Sequence, residues 1–472
     1  MIGLDKYKAI FLIFISCILY LYIGYFLERT DFNTLLFVWI SLFSCFYFLI
    51  KSKQLTFKYL AAISILFRLI LLFQIPNLSQ DFYRFIWDGR MILEGLNPYL
   101  SLPENYIQQG LKPISEAVTL HEGMGELNGS HYTNYPPIHQ ICFLIAALFS
   151  SKSILGSVVI FRFLIIIADV GILYFGKKLL ERLKLPVQNI FWYVLNPFII
   201  IEMTGNLHFE SIMLFFLVFA LYKLSQKKWL IAGILIACSI SVKLIPLLFL
   251  PLFYQWFTKP IDNANKLKQS HNNTAERFIK KNWIPKLTGI RNLILFYAII
   301  FTTIVTLFLP FYSPKLIHNY LNSVGLWFQK FEFNASFYYL FREIGFLFRG
   351  WNEIAIIGKI TPVLTLLFIG CLTFFRKNKT MIQLITALLF GGCFYYFTTT
   401  TMHPWYLATL LILSVFTKYR FPIIWSLVII LSYQAYANNP WKENFWFVGF
   451  EYFIVFLYLI FELKKKNNIL LT

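Results

Sequence analysis

Apolar runs follow one another along nearly the whole chain, separated by short polar breaks, and no other feature constrains the fold as strongly. They lie near residues 9–27, 33–50, 59–75, 154–176, 187–203, 209–224, 229–241, 244–257, 293–311, 353–374, 381–398, 404–417, 421–437 and 445–463. A straight helix needs about 20 apolar residues to cross a bilayer, and several of these runs are shorter. The expectation is an all-α, polytopic integral membrane protein with about 12 to 14 transmembrane helices. Composition agrees, because only 14% of the residues are charged where soluble domains carry about a quarter. The first run, preceded by Lys6 and Lys8, is too long for a signal peptide and lacks a small-residue cleavage site, so it reads as a retained span.

The formal net charge of +20 does not imply a nucleic-acid partner, since the basic residues punctuate apolar runs instead of forming a stripe on a soluble face. All six cysteines fall inside apolar stretches without metal-ligand spacing and read as small core residues.

Sidedness follows from the basic residues, because short cytoplasmic loops are enriched in Lys and Arg. With the amino terminus inside, the clusters Lys51 to Lys58, Lys177 to Lys184, Lys223 to Lys228, Arg376 to Lys379, Lys418 with Arg420, and Lys464 to Lys466 are all cytoplasmic, as is the long basic loop 258–292. These inner segments hold about two thirds of the 42 basic residues. The apolar stretch Ile138 to Phe149 has the length of a re-entrant or interfacial segment. Kept outside, it makes residues 76–153 one long outer loop carrying interfacial helices; residues 312–352 form a second, aromatic-rich outer loop. Residues 1–58 read as an extra N-terminal hairpin and 59–472 as the main membrane domain. Both termini are expected in the cytoplasm.

Polar residues left over then converge on the outer face: Asp81, the Asn134 to Pro137 segment with Tyr135, His208, Glu210, Lys243 and His403. In the stretch Ser79 to Tyr99, a helix starting at Asp81 places Asp81, Arg84 and Asp88 on one face, with Phe82, Phe85, Ile86 and Trp87 toward lipid or core. Such a helix is expected along the membrane surface. Asp81 there is either a general base acting on an acceptor hydroxyl or the helix cap. Lys243, between two short apolar runs and before Pro246, either meets an anionic phosphate or snorkels to headgroups. His403, before Pro404 and Trp405, contacts phosphate or sugar, or anchors at the interface. His208 and Glu210 suit an acceptor sugar or a divalent ion, although two ligands do not define a metal site and none is assigned. Arg68, Arg162 and Asp169 fall inside spans, where mutual pairing across helices is expected.

Four motifs carry a resemblance: Asp81 with Y-R-F-I-W-D-G-R and G-L-N-P-Y, N-Y-P-P at Asn134 to Pro137, S-V-K-L-I-P at Ser241 to Pro246, and M-H-P-W-Y at Met402 to Tyr406. Their order and common sidedness resemble the GT-C glycosyltransferases, and within them the bacterial polyprenyl-phosphate-mannose-dependent mannosyltransferases. That resemblance implies an inverting transfer of a mannosyl or other hexosyl unit, in which Asp81 takes the acceptor proton as the lipid phosphate leaves. Donor and acceptor contacts would fall to Arg84, Asp88, Tyr135, His208, Glu210, Lys243 and His403. The partners implied are a polyprenyl-phosphate sugar, a glycolipid or envelope-glycan acceptor and membrane lipids, at the outer face of the plasma (inner) membrane. No cofactor is implied. The second acid that the family often carries near the first is absent here, where Gln80 precedes Asp81 and Tyr83 lies two beyond, which weakens a metal held by an acidic pair. A lipid-linked oligosaccharide polymerase and a transporter of a lipid-linked sugar are the rival classes. A transporter would more typically show repeat halves with broken helices in corresponding positions and ionisable groups near the midplane, whereas here the polar residues left over cluster at one surface.

Overall fold

A computed structural model describes residues 2–259, 275–329 and 331–469. The stretch 260–274 of the expected basic inner loop lies outside them. Secondary structure among the described residues is helical, with one isolated parallel bridge between Phe333 and Thr401.

Seven helices among the described residues are long and apolar enough to cross a membrane: Tyr7–Tyr25, Phe32–Lys51, Ile154–Leu183, Leu287–Phe311, Ile354–Phe374, Met381–Thr398 and Phe445–Lys465. Pro197–Gly205 and Glu210–Ser225, bent by 117° at their break, make an eighth if taken as one span. Five further apolar helices, including Pro137–Phe149, Ile245–Thr258 and Pro404–Val415, have only 10–17 residues. Seven or eight segments among the described residues thus have the length and composition of a span, where the apolar runs suggested about 12 to 14. A short helix enclosed by its neighbours needs as apolar a sequence as a spanning one, and prolines such as Pro246, Pro251, Pro404 and Pro422 keep these runs short. The outward faces of the spans carry exposed Phe301, Leu367 and Phe453. Such surfaces suit lipid, and the chain is a multi-pass membrane protein.

Charges buried between the helices find partners within the protein. Arg68 meets Asp169 across helices at 2.7 Å, and the other Asp169 oxygen accepts from Ser211 Oγ at 2.7 Å. Arg162 departs from the expected pairing with an acid. Its guanidinium donates to the carbonyls of Leu72, Gln74, Thr204 and Gly205. These carbonyls belong to chain ends just beyond the helix Phe57–Ile70 and at the end of Pro197–Gly205, where no further turn supplies a donor. One arginine therefore stabilises the break that presents His208 and Glu210.

The helix Asp81–Leu93 packs against Pro137–Phe149 and Ala117–Gly129. Its apolar residues Phe82, Phe85, Ile86 and Trp87 are core, each no more than 2% exposed. Its polar face is covered too, contrary to the expected surface helix, because Arg84 and Asp88 find their partners inside the protein. Gly89 makes the crossing possible: a Cβ there would stand 2.2 Å from the Phe143 carbonyl oxygen. The N-terminal hairpin shares the same continuous core, and Trp39 donates through Nε1 to the Leu427 carbonyl at 2.9 Å.

Candidate active site

A cavity of about 380 Å³ opens where the four motif segments meet, within the size range of small-molecule sites. The convergence has a backbone cause. Pro136 and Pro137 start the helix Pro137–Phe149, and the Ile138 amide donates to the Ser241 carbonyl at 2.9 Å, fixing the segment two residues before Lys243 beside Tyr135. The Tyr99 hydroxyl donates to the Tyr135 carbonyl at 2.6 Å, so G-L-N-P-Y acts as a brace for N-Y-P-P. On the far wall, Phe333 exchanges backbone bonds with Thr400 and Met402 at 3.1 and 2.8 Å, which sets Phe331 over His403 with 5.8 Å between rings.

Asp81 is the first residue of its helix, while the cap position belongs to Gln80. Its side chain lines the cavity and accepts a hydrogen bond from Asn128 Nδ2 at 3.4 Å. Burial raises the carboxyl pKa above its ordinary value, opposed by Lys243, Asn128 and Arg29. Among the residues lining the cavity, Asp81 is the one carboxylate.

Lys243 also lines the cavity and donates to Glu210 Oε1 at 2.5 Å, with the lysine side chain 18% exposed and the glutamate 2%. Glu210 therefore sits behind Lys243 and not on the cavity surface. His403 lines the cavity, and burial with nearby Lys243 and Arg29 lowers its pKa to about 3, leaving a neutral imidazole. Its ring stacks on Trp405 at 4.5 Å, and Trp405 stacks in turn on His208 at 3.8 Å. His208 is thus one ring removed from the cavity, 3.6 Å from Glu202, whose carboxylate accepts from the Tyr433 hydroxyl at 2.7 Å.

The structure brings Asp81, Tyr135, Lys243 and His403 to one cavity, with Glu210 and His208 directly behind it. It does not bring Arg84 and Asp88 there. Arg84 pairs with Asp88 at 2.8 Å and donates to the carbonyls of Asn128 and His131, while Asp88 also accepts from Gln140 Nε2 at 3.0 Å. They pin the segment that carries Asn128, and so act on Asp81 only through it.

Several lining residues escaped the sequence reading. Trp405 and Tyr406 lie inside a motif whose His-Pro-Trp-Tyr run suggests an interfacial anchor and not a cavity wall; Asn128, Tyr436 and Arg29 lie outside every motif. Arg29 carried a signal of its own, being a basic residue in the short turn between two apolar runs where the charge asymmetry puts the outer side. Among the described residues, no group of three or more His, Cys, Asp or Glu side chains is placed to hold a metal ion.

Comparison with known proteins bears on these motifs directly. Residues 17–259 match a family described as alpha-(1->6)-mannopyranosyltransferase, N-terminal domain. A curated relative, alpha-(1->6)-mannopyranosyltransferase A of Corynebacterium glutamicum, is 29% identical over 197 residues, covering 39% of this chain. The match spans 36% of that relative's length, and no solved structure matches the chain. The family match contains Asp81, Tyr135, His208, Glu210 and Lys243, and extends over just more than half of the sequence. The chain belongs to the alpha-(1->6)-mannopyranosyltransferase family.

Proposed function

We propose that this protein is an inverting glycosyltransferase that moves a mannosyl or other hexosyl unit from a polyprenyl-phosphate donor to a lipid-linked or envelope-glycan acceptor. Family membership supports a mannosyltransferase. The observation that carries the mechanism is Asp81: a single carboxylate in a cavity whose other charged lining groups are the cations Arg29 and Lys243. The raised pKa of Asp81 favours proton acceptance near neutrality over that of a free aspartate. In the reaction, Asp81 takes the proton of the acceptor hydroxyl as its oxygen bonds to the sugar's anomeric carbon. The bond from that carbon to the phosphate oxygen breaks, and the lipid phosphate leaves with the electron pair.

The aromatic walls Trp405, Tyr406, Tyr436 and Trp441 suit a sugar ring, which packs on such faces through its C–H groups. Lys243 donates one hydrogen bond to Glu210 and keeps two N–H groups for an oxyanion in the cavity. His403, kept neutral, supplies a hydrogen bond without adding charge. In the proposed orientation the cavity opens on the outer face of the plasma membrane and both termini are cytoplasmic.

The test is transfer by purified protein from a panel of radiolabelled polyprenyl-phosphate sugars to a membrane lipid extract. Transfer of mannose above the other sugars is expected; label that remains on the donor throughout the panel would defeat the proposal. Sidedness is checked separately with cysteines at the exposed positions Gln109 and Lys377. An impermeant thiol reagent on intact cells should label the first and spare the second.

A further inference from the structure

The turn between the first two helices, Ile2–Tyr25 and Phe32–Lys51, reaches the cavity, although no motif falls there. Asp31 caps the second helix by accepting from the Thr34 amide at 3.2 Å, and this fixes the turn that carries Arg29. The Arg29 guanidinium lies over the Tyr436 ring, with 3.3 Å between its central carbon and the ring centroid, and Arg29 lines the cavity together with Asp81 and Lys243.

The two cations differ in what answers their charge. Lys243 is bound to Glu210 at 2.5 Å, a carboxylate held directly behind it. Arg29 forms no ion pair among the described residues, and its Nε is buried without a hydrogen-bond partner. A guanidinium placed in a partly closed, aromatic-walled cavity with a donor left over is costly unless an anion arrives. Its planar fork suits a phosphate, and the ring beneath holds that fork in one plane.

We infer that Arg29, from the N-terminal hairpin, is the principal phosphate-binding residue of the donor site, and that Lys243, already answered by Glu210, is secondary. The inference rests on the lipid-phosphate donor proposed above. It assigns to the first hairpin one half of the donor site: the phosphodiester sits between Arg29 and Lys243, and the aromatic wall receives the sugar. The guanidinium then has an anion of its own beside it, while Glu210 answers Lys243 and the carboxylate of Asp81 remains free to accept a proton.

The test uses the full chain in detergent and compares binding of a short-chain polyprenyl phosphate, the polyprenol of the same length, and phosphatidylglycerol. Wild-type protein should prefer the phosphate over the alcohol by about 10- to 100-fold. Arg29→Gln should bring that ratio close to one while leaving polyprenol binding unchanged. Arg29→Lys keeps the charge and loses the fork; it should lose a smaller part of the preference, and it serves as the readout if the glutamine variant does not fold. A merely structural Arg29 would weaken both ligands together. Full phosphate preference in the folded variants would overturn the role of Arg29 and leave the donor reading intact. A wild-type protein indifferent to the phosphate would instead overturn the donor reading. Phosphatidylglycerol that binds as tightly as polyprenyl phosphate, with the same loss in Arg29→Gln, would make Arg29 a headgroup contact and defeat its assignment to the donor.

Discussion

Two buried ion pairs of similar length do different work in this protein. Arg68 and Asp169, 2% and 3% exposed, face only other side chains and backbone, and both carboxylate oxygens accept a hydrogen bond. Lys243 and Glu210 meet as closely, but the lysine opens to the cavity and Glu210 Oε2 is buried without a partner. The first pair has its hydrogen-bonding capacity filled at the acid; the second keeps capacity in reserve. The same contrast runs along one helix, where Asp88 is enclosed by Arg84 and Gln140 while Asp81, two turns earlier, faces the cavity with one long bond from Asn128. Among the four acids compared, unfilled capacity lies at the cavity and filled capacity in the scaffold; the contrast belongs to the acids alone, since Arg68 Nη2 is itself buried without a partner.

The largest effect that would test this contrast is on stability. Arg68→Met leaves Asp169 buried and uncompensated, which costs about 3–5 kcal/mol, whereas Arg68→Met with Asp169→Leu should restore most of the folded yield. Thermal unfolding of detergent-purified variants checks it, and a double variant no better than the single one would place the role of the pair elsewhere. For the site, Asp81→Asn keeps the size and loses the proton acceptor. Turnover should fall by at least about a hundredfold with near-normal insertion and donor binding. Asp88→Asn should show the opposite pattern, a lower unfolding temperature with near-normal turnover in the protein that folds. If the two variants lose turnover alike, the distinction along the helix fails.

Smaller effects sharpen the comparison. Lys243→Ala should raise the donor KM about tenfold, because Glu210 already neutralises the lysine and only a hydrogen bond to the phosphate is lost; Glu210→Gln should lower the KM by freeing that charge. A KM that rises in both variants would show that Glu210 holds Lys243 in position instead of competing for it. The smallest effect is on pH dependence. Burial raises the Asp81 pKa, so kcat/KM should fall with acid at a pH above the ordinary aspartate value of about 3.9. Because the folded pKa lies above the unfolded one, ionising Asp81 costs stability as pH rises through that window. Asp81→Asn should abolish the acid limb and remove this pH-dependent loss of stability.

The helical membrane architecture was legible because lipid leaves so few ways to satisfy a backbone. The number of spans was not, since a buried helix such as Pro404–Val415 and a spanning one such as Ile354–Phe374 have the same kind of composition. The meeting of Asp81, Tyr135, Lys243 and His403 at one cavity was legible because each sits in a short segment with its own proline or helix start, and local rules fix such segments. That Arg84 and Asp88 turn away from the cavity was not legible, because i, i+3 and i+4 spacing gives a shared face but does not say what covers it. The partnership of Glu210 with Lys243, across 33 residues, and the approach of Arg29 to Tyr436 depend on tertiary placement that no local pattern encodes.

Arg162 has a consequence for how this protein relates to the bilayer around it. A broken helix within a membrane exposes carbonyl oxygens, and where water or headgroups must reach them, the geometry of the break follows the local lipid. Here one side chain from a neighbouring span supplies the donors for Thr204 and Gly205 as well as for Leu72 and Gln74. The kink is thereby insulated from bilayer thickness. The segment that leads into Glu210 is tied to the neighbouring span by an arginine's donors, so its attachment belongs to the polypeptide and asks nothing of the surrounding lipid.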